Sequence, residues 1–109
     1  MTNLLQKRAA RRKRERLELF DSTRAALRVA LRELVPGERT ILFGSLTQRG
    51  TFNAASDIDL ALEREPRGLT RGELMVALGE RLERRVDLVL LRECRFAAKI
   101  RREGEMWTR

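Results

Sequence analysis

Asp57 and Asp59, two residues apart, are the side chains of this chain best placed to do chemistry. In an extended segment side chains alternate between faces, so both carboxylates point the same way. Ile58, Leu60 and Leu62 then pack on the opposite face. Two bare carboxylates about 5 Å apart repel by roughly 3 kcal/mol at an effective dielectric of about 20. A divalent cation between them turns that cost into a binding site. A third acid stands in Val86-Asp87-Leu88-Val89, and a small-residue turn, Gly44-Ser45, lies upstream of the pair. Gly lets the backbone turn sharply and approach a ligand with no Cβ in the way. Ser45 offers a hydroxyl and a backbone N–H, and N–H groups that open a helical turn favour phosphate. Ser56 precedes the acid pair directly. Mg²⁺ takes a few carboxylates together with phosphate oxygens and water. Three acids beside such a turn suit two Mg²⁺ ions, or Mn²⁺, and a nucleoside triphosphate. Asp-x-Asp alone fits a solvated strand equally well; the turn and Asp87 weigh against that reading.

Other chemistries drop out by composition. The chain has no His, which excludes imidazole general-base catalysis and ordinary His-containing zinc sites. It has no Tyr, so it cannot modify a tyrosine of its own. The single Cys94 cannot close an internal disulfide and reads as a half-buried filler.

The elements that must position these residues can be read in order. Leu17, Phe20, Leu27, Leu31 and Leu34 recur at helical spacing and predict a long helix ending at Pro36-Gly37. Its basic start either continues the helix or breaks from it near Asp21-Ser22, a plausible N-cap. Thr40 to Phe43 is the first strand, Ser45 to Gly50 a short helix or turn, and Ser56 to Glu63 the second strand. Glu65-Pro66-Arg67-Gly68 breaks the chain. Thr70 and Glu73 form a capping box for a helix through about Arg84, with Leu74, Ala77, Leu78 and Leu82 facing the sheet. Val86 to Leu91 is nearly all apolar and predicts a central or well-covered strand. A last helix, from about Arg95 to Glu103, places Phe96 and Ile100 inward, and Met106-Trp107 closes the chain. The expected fold is α/β, a small mixed sheet with helices packed largely on one face and the acids on the other.

These residues carry a resemblance. Phe43-Gly44-Ser45-Leu46-Thr47-Gln48-Arg49-Gly50, followed by Ser56-Asp57-Ile58-Asp59-Leu60-Ala61, resembles the signature of the DNA polymerase β-type nucleotidyltransferase superfamily. More narrowly it is similar to the minimal nucleotidyltransferases of bacteria and archaea, with Asp87 matching the third carboxylate. The tail from Ile100 to Trp107 resembles the family's closing helix and apolar–aromatic pair, with Trp107 where Tyr is usual. The likeness spans roughly residues 25 to 109. The loop before Arg49 is one residue longer than the family's Gly-Ser-x-Ala-Arg-Gly. The resemblance implies two-metal nucleotidyl transfer. Asp57, Asp59 and Asp87 would be catalytic and metal-binding; Gly44, Ser45, Arg49 and Ser56 would bind the nucleotide, ATP, and Arg49 would neutralise the leaving pyrophosphate. It further implies transfer of AMP to a tyrosine of a HEPN-domain toxin, within a hetero-oligomeric toxin–antitoxin pair. Two alternatives stay open: a non-catalytic antitoxin or interaction protein, and transfer to a nucleic-acid end or a small molecule.

At 109 residues the chain reads as one domain, residues 17–109, behind a basic arm or helix start over residues 1–16. The net charge is +8, and residues 1–35 hold ten Lys/Arg against four Asp/Glu. The run of Arg8, Arg11, Arg12, Lys13, Arg14 and Arg16 suits nucleic acid or an acidic protein surface, or is a solvated helix face. No aromatic residue interleaves with it, so base stacking there is unsupported. No stretch approaches a membrane span and arginines interrupt the N-terminus, which makes the cytoplasm the expected location.

Overall fold

The computed structural model describes residues 3–108. A single helix, α1, runs from Leu4 to Leu34. It opens on a capping box in which Asn3 Oδ1 accepts from Gln6 N at 2.8 Å and Gln6 Oε1 accepts from Asn3 N at 3.0 Å. The helix passes through Asp21-Ser22 without a break. No Gly or Pro interrupts the segment, and Ala, Leu and Arg are strong helix formers. Ser22 does not cap; its hydroxyl donates back to Leu19 O at 3.2 Å. The end falls where expected, because a residue before proline is disfavoured in helical conformation. Val35 leaves the helix at φ −137.

The sheet has four strands, β1 (Arg39–Phe43), β2 (Ile58–Leu62), β3 (Val86–Leu90) and β4 (Glu105–Thr108), in the order β3-β2-β1-β4. β1 is antiparallel to both β2 and β4, whereas β2 and β3 are parallel. A parallel pair needs a crossover. Here α2 (Arg71–Leu82) supplies it, opened by the Thr70–Glu73 capping box. α2 stops at Leu82 rather than Arg84, because Glu83 turns left-handed at φ 49. A short helix, α3 (Ala97–Glu103), leads into β4.

One face of the sheet carries the main core. Leu42, Ile58, Leu60, Leu62, Val86, Leu88 and Leu90 meet Leu27 and Leu31 of α1 and Leu74 and Leu78 of α2. Leu82 packs beside them, only partly buried. α3 lies on the other face, where Ile100 joins Ile41, Ala61 and Leu91, with Cys94 half-buried at the margin. Gly104 permits this approach, since a Cβ there would collide with Ile41. The helices therefore pack largely, not wholly, on one face.

One sequence expectation is corrected and two are sharpened. Of the two readings of β3, central or well covered, the second holds: β3 is an edge strand with α2 on one face and the small cluster on the other. Phe96 points outward, 62% exposed, because α3 begins only at Ala97. The Met106-Trp107 tail is a strand hydrogen-bonded to β1, with Trp107 buried and Met106 exposed.

Candidate active site

Residues of one parity on the three adjacent strands share a face. Phe43 is the register partner of Asp59, and Asp59 is the register partner of Asp87. The topology thus sets two carboxylates side by side at the end of β1. There the chain turns at Gly44, whose φ of +77 lies in the left-handed region. A Cβ at Gly44 would run into the Asp59 carboxylate, so glycine is required on both counts.

The turn after Gly44 is held from several sides. Gly44–Thr47 forms one 3-10 turn, with Leu46 wholly buried as its anchor. Thr47 Oγ1 donates to Gly44 O at 2.7 Å, and Gln48 N donates to Ser45 O at 3.0 Å. Arg24 of α1 donates to Leu46 O at 2.9 Å. The same guanidinium grips Glu105 of β4, which ties helix, turn and last strand together.

Asp57 sits one residue before β2 rather than within it. The loop ahead of it is fixed by Asn53, Ser56 and Arg84. Ser56 Oγ accepts from Asn53 N at 3.0 Å, and Asn53 Oδ1 accepts from Ala55 N at 2.8 Å. Arg84 donates to the carbonyls of Asn53, Ala54 and Ser56, the last at 2.6 Å. It also lies over the ring of Phe52, 4.7 Å from the centroid, and Phe52 is wholly buried. Ile58 N donates to Arg85 O at 3.0 Å and starts the strand.

The electrostatics match the geometry. Partial burial pushes the Asp59 carboxyl above its ordinary value, and the charges of Asp87 and Asp57 push it the same way. Arg85 is the nearest cation, with Nε 3.4 Å from Asp87 and 4.0 Å from Asp57. An open cleft of about 1070 Å³ lies over the acids. Gly44, Thr47, Asp59 and Asp87 line it on the sheet side, and Phe96 and Lys99 line it on the other.

The sequence-predicted residues divide accordingly. Gly44, Asp59 and Asp87 meet at the cleft, with Asp57 just outside its lining. Ser45 lies in the turn behind Gly44. Ser56 serves the loop. Arg49 is turned toward α1, where it pairs with Asp21 at 3.0 Å. Sequence reasoning missed Arg24, Arg84, Arg85 and Lys99. Only the Arg84-Arg85 doublet before β3 offered a local signal.

Among the described residues, no group of three His, Cys, Asp or Glu side chains encloses a metal ion by itself. Mg²⁺ is usually held by one or two carboxylates plus substrate phosphates rather than by an all-protein cage. The donor set is hard oxygen, and the Asp59–Asp87 pair carries charge that a cation would relieve.

A glycine turn, paired acids on neighbouring strands and an open cleft make up the candidate site of this α/β domain. Residues 25–106 match the nucleotidyltransferase domain family, and the chain belongs to it. Solved structures agree. A toxin–antitoxin complex with AMP-PNP matches at 31% identity and TM-score 0.59, over 78% of this chain and 73% of that one. The MntA-HepT toxin–antitoxin complex matches at 25% identity and TM-score 0.56, over 82% and 73%. A variant of that complex with two aspartates, two positions apart, changed to glutamate matches at 27% identity and TM-score 0.51, over 74% and 69%. The chain thus matches the minimal nucleotidyltransferases of toxin–antitoxin modules. No curated protein matches it.

Proposed function

We propose that this chain moves AMP from ATP to a tyrosine hydroxyl of a partner toxin and thereby acts as an antitoxin. The observation that carries the reading is the pairing of Asp59 with Asp87 beside the Gly44 turn. The similar structures, toxin–antitoxin complexes of which one holds AMP-PNP, support the nucleotide and the kind of partner. The partner would be a HEPN-type helical protein in a hetero-oligomer, as the sequence resemblance implies. A chain without Tyr must find a tyrosine acceptor elsewhere.

Asp57, Asp59 and Asp87 would hold the divalent ions, Mg²⁺ or Mn²⁺, which neutralise triphosphate charge and lower the pKa of the acceptor hydroxyl when bound. Gly44 lets the β- and γ-phosphates lie close to the backbone, with the Ser45 hydroxyl and N–H beside them. The acceptor oxygen attacks the α-phosphorus in line. The bond from that phosphorus to the bridging oxygen breaks, and pyrophosphate leaves. Asp87 takes the acceptor proton. Arg49 would reach the leaving group by releasing Asp21; both side chains are more than half exposed, so solvent screens that pair and it gives way easily.

The test is to incubate the full chain with Mg²⁺, ATP labelled at the α-phosphate, and the helical product of the neighbouring gene. Label on a tyrosine of that product is the expected result. The double variant Asp57→Asn/Asp59→Asn should fall at least about a thousandfold. Full activity of the double variant, or label on RNA ends instead, overturns the reading.

A further inference from the structure

The first half of α1 does nothing for the fold. Residues 3–15 are all exposed, and contact with the body begins only around Arg16 and Leu17. Even Leu4 and Leu5 are 61% and 72% exposed. The segment is nonetheless helical, as part of one element with the packed half. At about 1.5 Å per residue it extends roughly 18 Å beyond the body as a stiff rod. The molecule is accordingly elongated, 56 Å in its longest dimension against 28 and 20 Å.

The rod is basic nearly all round. Lys7, Arg8, Arg11, Arg12, Lys13, Arg14 and Arg16 face a single acid, Glu15. None of the seven forms an ion pair with another described residue. At about 100° per residue the seven spread over roughly 260° of the circumference. A helix that docks on a protein shows an apolar stripe along one side. Between residues 6 and 16 the non-polar positions are only Ala9 and Ala10. Cations on both flanks and on the outer side suit a ligand that surrounds the helix with negative charge.

We infer that this protruding helix binds duplex DNA by lying in the major groove between the two phosphate walls. A helix with its side chains is about 10–12 Å across, and the B-form major groove is about 12 Å wide. The deep, narrow major groove of A-form RNA does not admit it. The side chains are arginines and lysines without aromatic neighbours, so contact is with phosphates and binding is largely independent of sequence. The site is remote from the acid cleft and does not depend on the chemistry there.

The test is fluorescence anisotropy of the full chain on a labelled 20-base-pair DNA duplex, between 50 and 200 mM KCl. Four to six neutralised phosphates give a slope of log affinity against log salt of about −4 to −5. Arg8→Gln/Arg11→Gln/Arg12→Gln/Lys13→Gln removes charge but keeps good helix formers. It should weaken binding at least tenfold at 100 mM KCl, flatten the slope by up to about 3.6 and leave Tm unchanged. A duplex RNA of equal length should bind at least tenfold more weakly than DNA. No DNA binding by the parent at 50 mM KCl overturns the inference. So does a quadruple variant that binds DNA like the parent, or RNA that binds as tightly as DNA. A variant that loses affinity for polyglutamate while keeping it for DNA assigns the arm to an acidic protein instead, and also overturns it.

Discussion

Arg24 of α1 and Glu105 of β4 form a two-pronged pair, with hydrogen bonds of 2.7 and 2.8 Å between guanidinium and carboxylate. The guanidinium is sandwiched by neighbours. It lies 5.1 Å from the Phe20 ring and 5.3 Å from the Trp107 ring, and its remaining reach is spent on Leu46 O. One arginine thus fixes the last strand and the turn after β1 against the same helix.

Breaking that pair should cost stability in a pH-dependent way. The Arg24 hydrogen bonds hold the Glu105 carboxyl below its ordinary value of 4.5. A lowered carboxylate contributes stability in full above the unfolded value and loses it as pH falls through the folded one. Arg24→Ala, which also removes packing, should destabilise by about 2–3 kcal/mol at pH 7. Glu105→Gln should lower Tm at pH 7, and the gap from the parent should narrow as pH falls below the ordinary glutamate value of 4.5. Thermal melts from pH 3 to pH 8 check both.

Asp59 carries the opposite sign. Burial, Asp87 and Asp57 raise its carboxyl, so the ionised form works against the fold at neutral pH. Asp59→Asn should therefore melt a few degrees above the parent when neither is given metal. It should lose the further rise that Mg²⁺ and ATP give the parent through linkage. Acidification should narrow the metal-free gap, because the raised parent carboxyl takes up its proton at higher pH than an ordinary aspartate does. A variant that melts lower than the parent and is still stabilised by Mg²⁺ with ATP would count against both halves.

Gly44→Ala faces two obstacles, a left-handed backbone and the Asp59 carboxylate. Urea unfolding should report a loss of about 1–3 kcal/mol. Nucleotide transfer should fall by more than the loss of folded protein explains.

Arg85 competes with cations for Asp87 and Asp57, yet its side chain is 74% exposed. Arg85→Ala should therefore tighten Mn²⁺ binding only about threefold, as expected for an exposed pair. Arg84→Ala should behave differently. It removes the donor to three loop carbonyls before Asp57, so transfer should fall tenfold or more with modest change in Mn²⁺ affinity at Asp59.

What could be read from the sequence was whatever rests on local pattern. The Asp57-x-Asp59 spacing, the glycine at the end of the first strand and the Thr70–Glu73 cap each depend on a few adjacent residues. β4 was illegible because Glu105-Met106-Trp107 is short and half polar; β1 alone makes it a strand. Phe96 was misplaced because helical spacing was carried back to Arg95, ahead of the start of α3 at Ala97. Val86 to Leu91 left a central and a well-covered strand equally open, because an apolar run reports cover on both faces and not position in the sheet. Arg24 and Arg84 are set by tertiary contact alone, and a chain with 24 Lys/Arg gives no reason to single out either.

The parallel pairing of β2 with β3 also fixes when the chemistry becomes available. Asp59 and Asp87 are far apart along the chain and become neighbours only after α2 has crossed the sheet and the second strand has zipped beside the first. Contacts of such long sequence separation are made late, because the entropy of closing the intervening loop is lost before they return any enthalpy. A molecule in which β2 and β3 were still unpaired would possess all its acidic residues without the juxtaposition that the proposed function needs. On the proposed reading, assembly of the site would thus be tied to the pairing of β2 with β3.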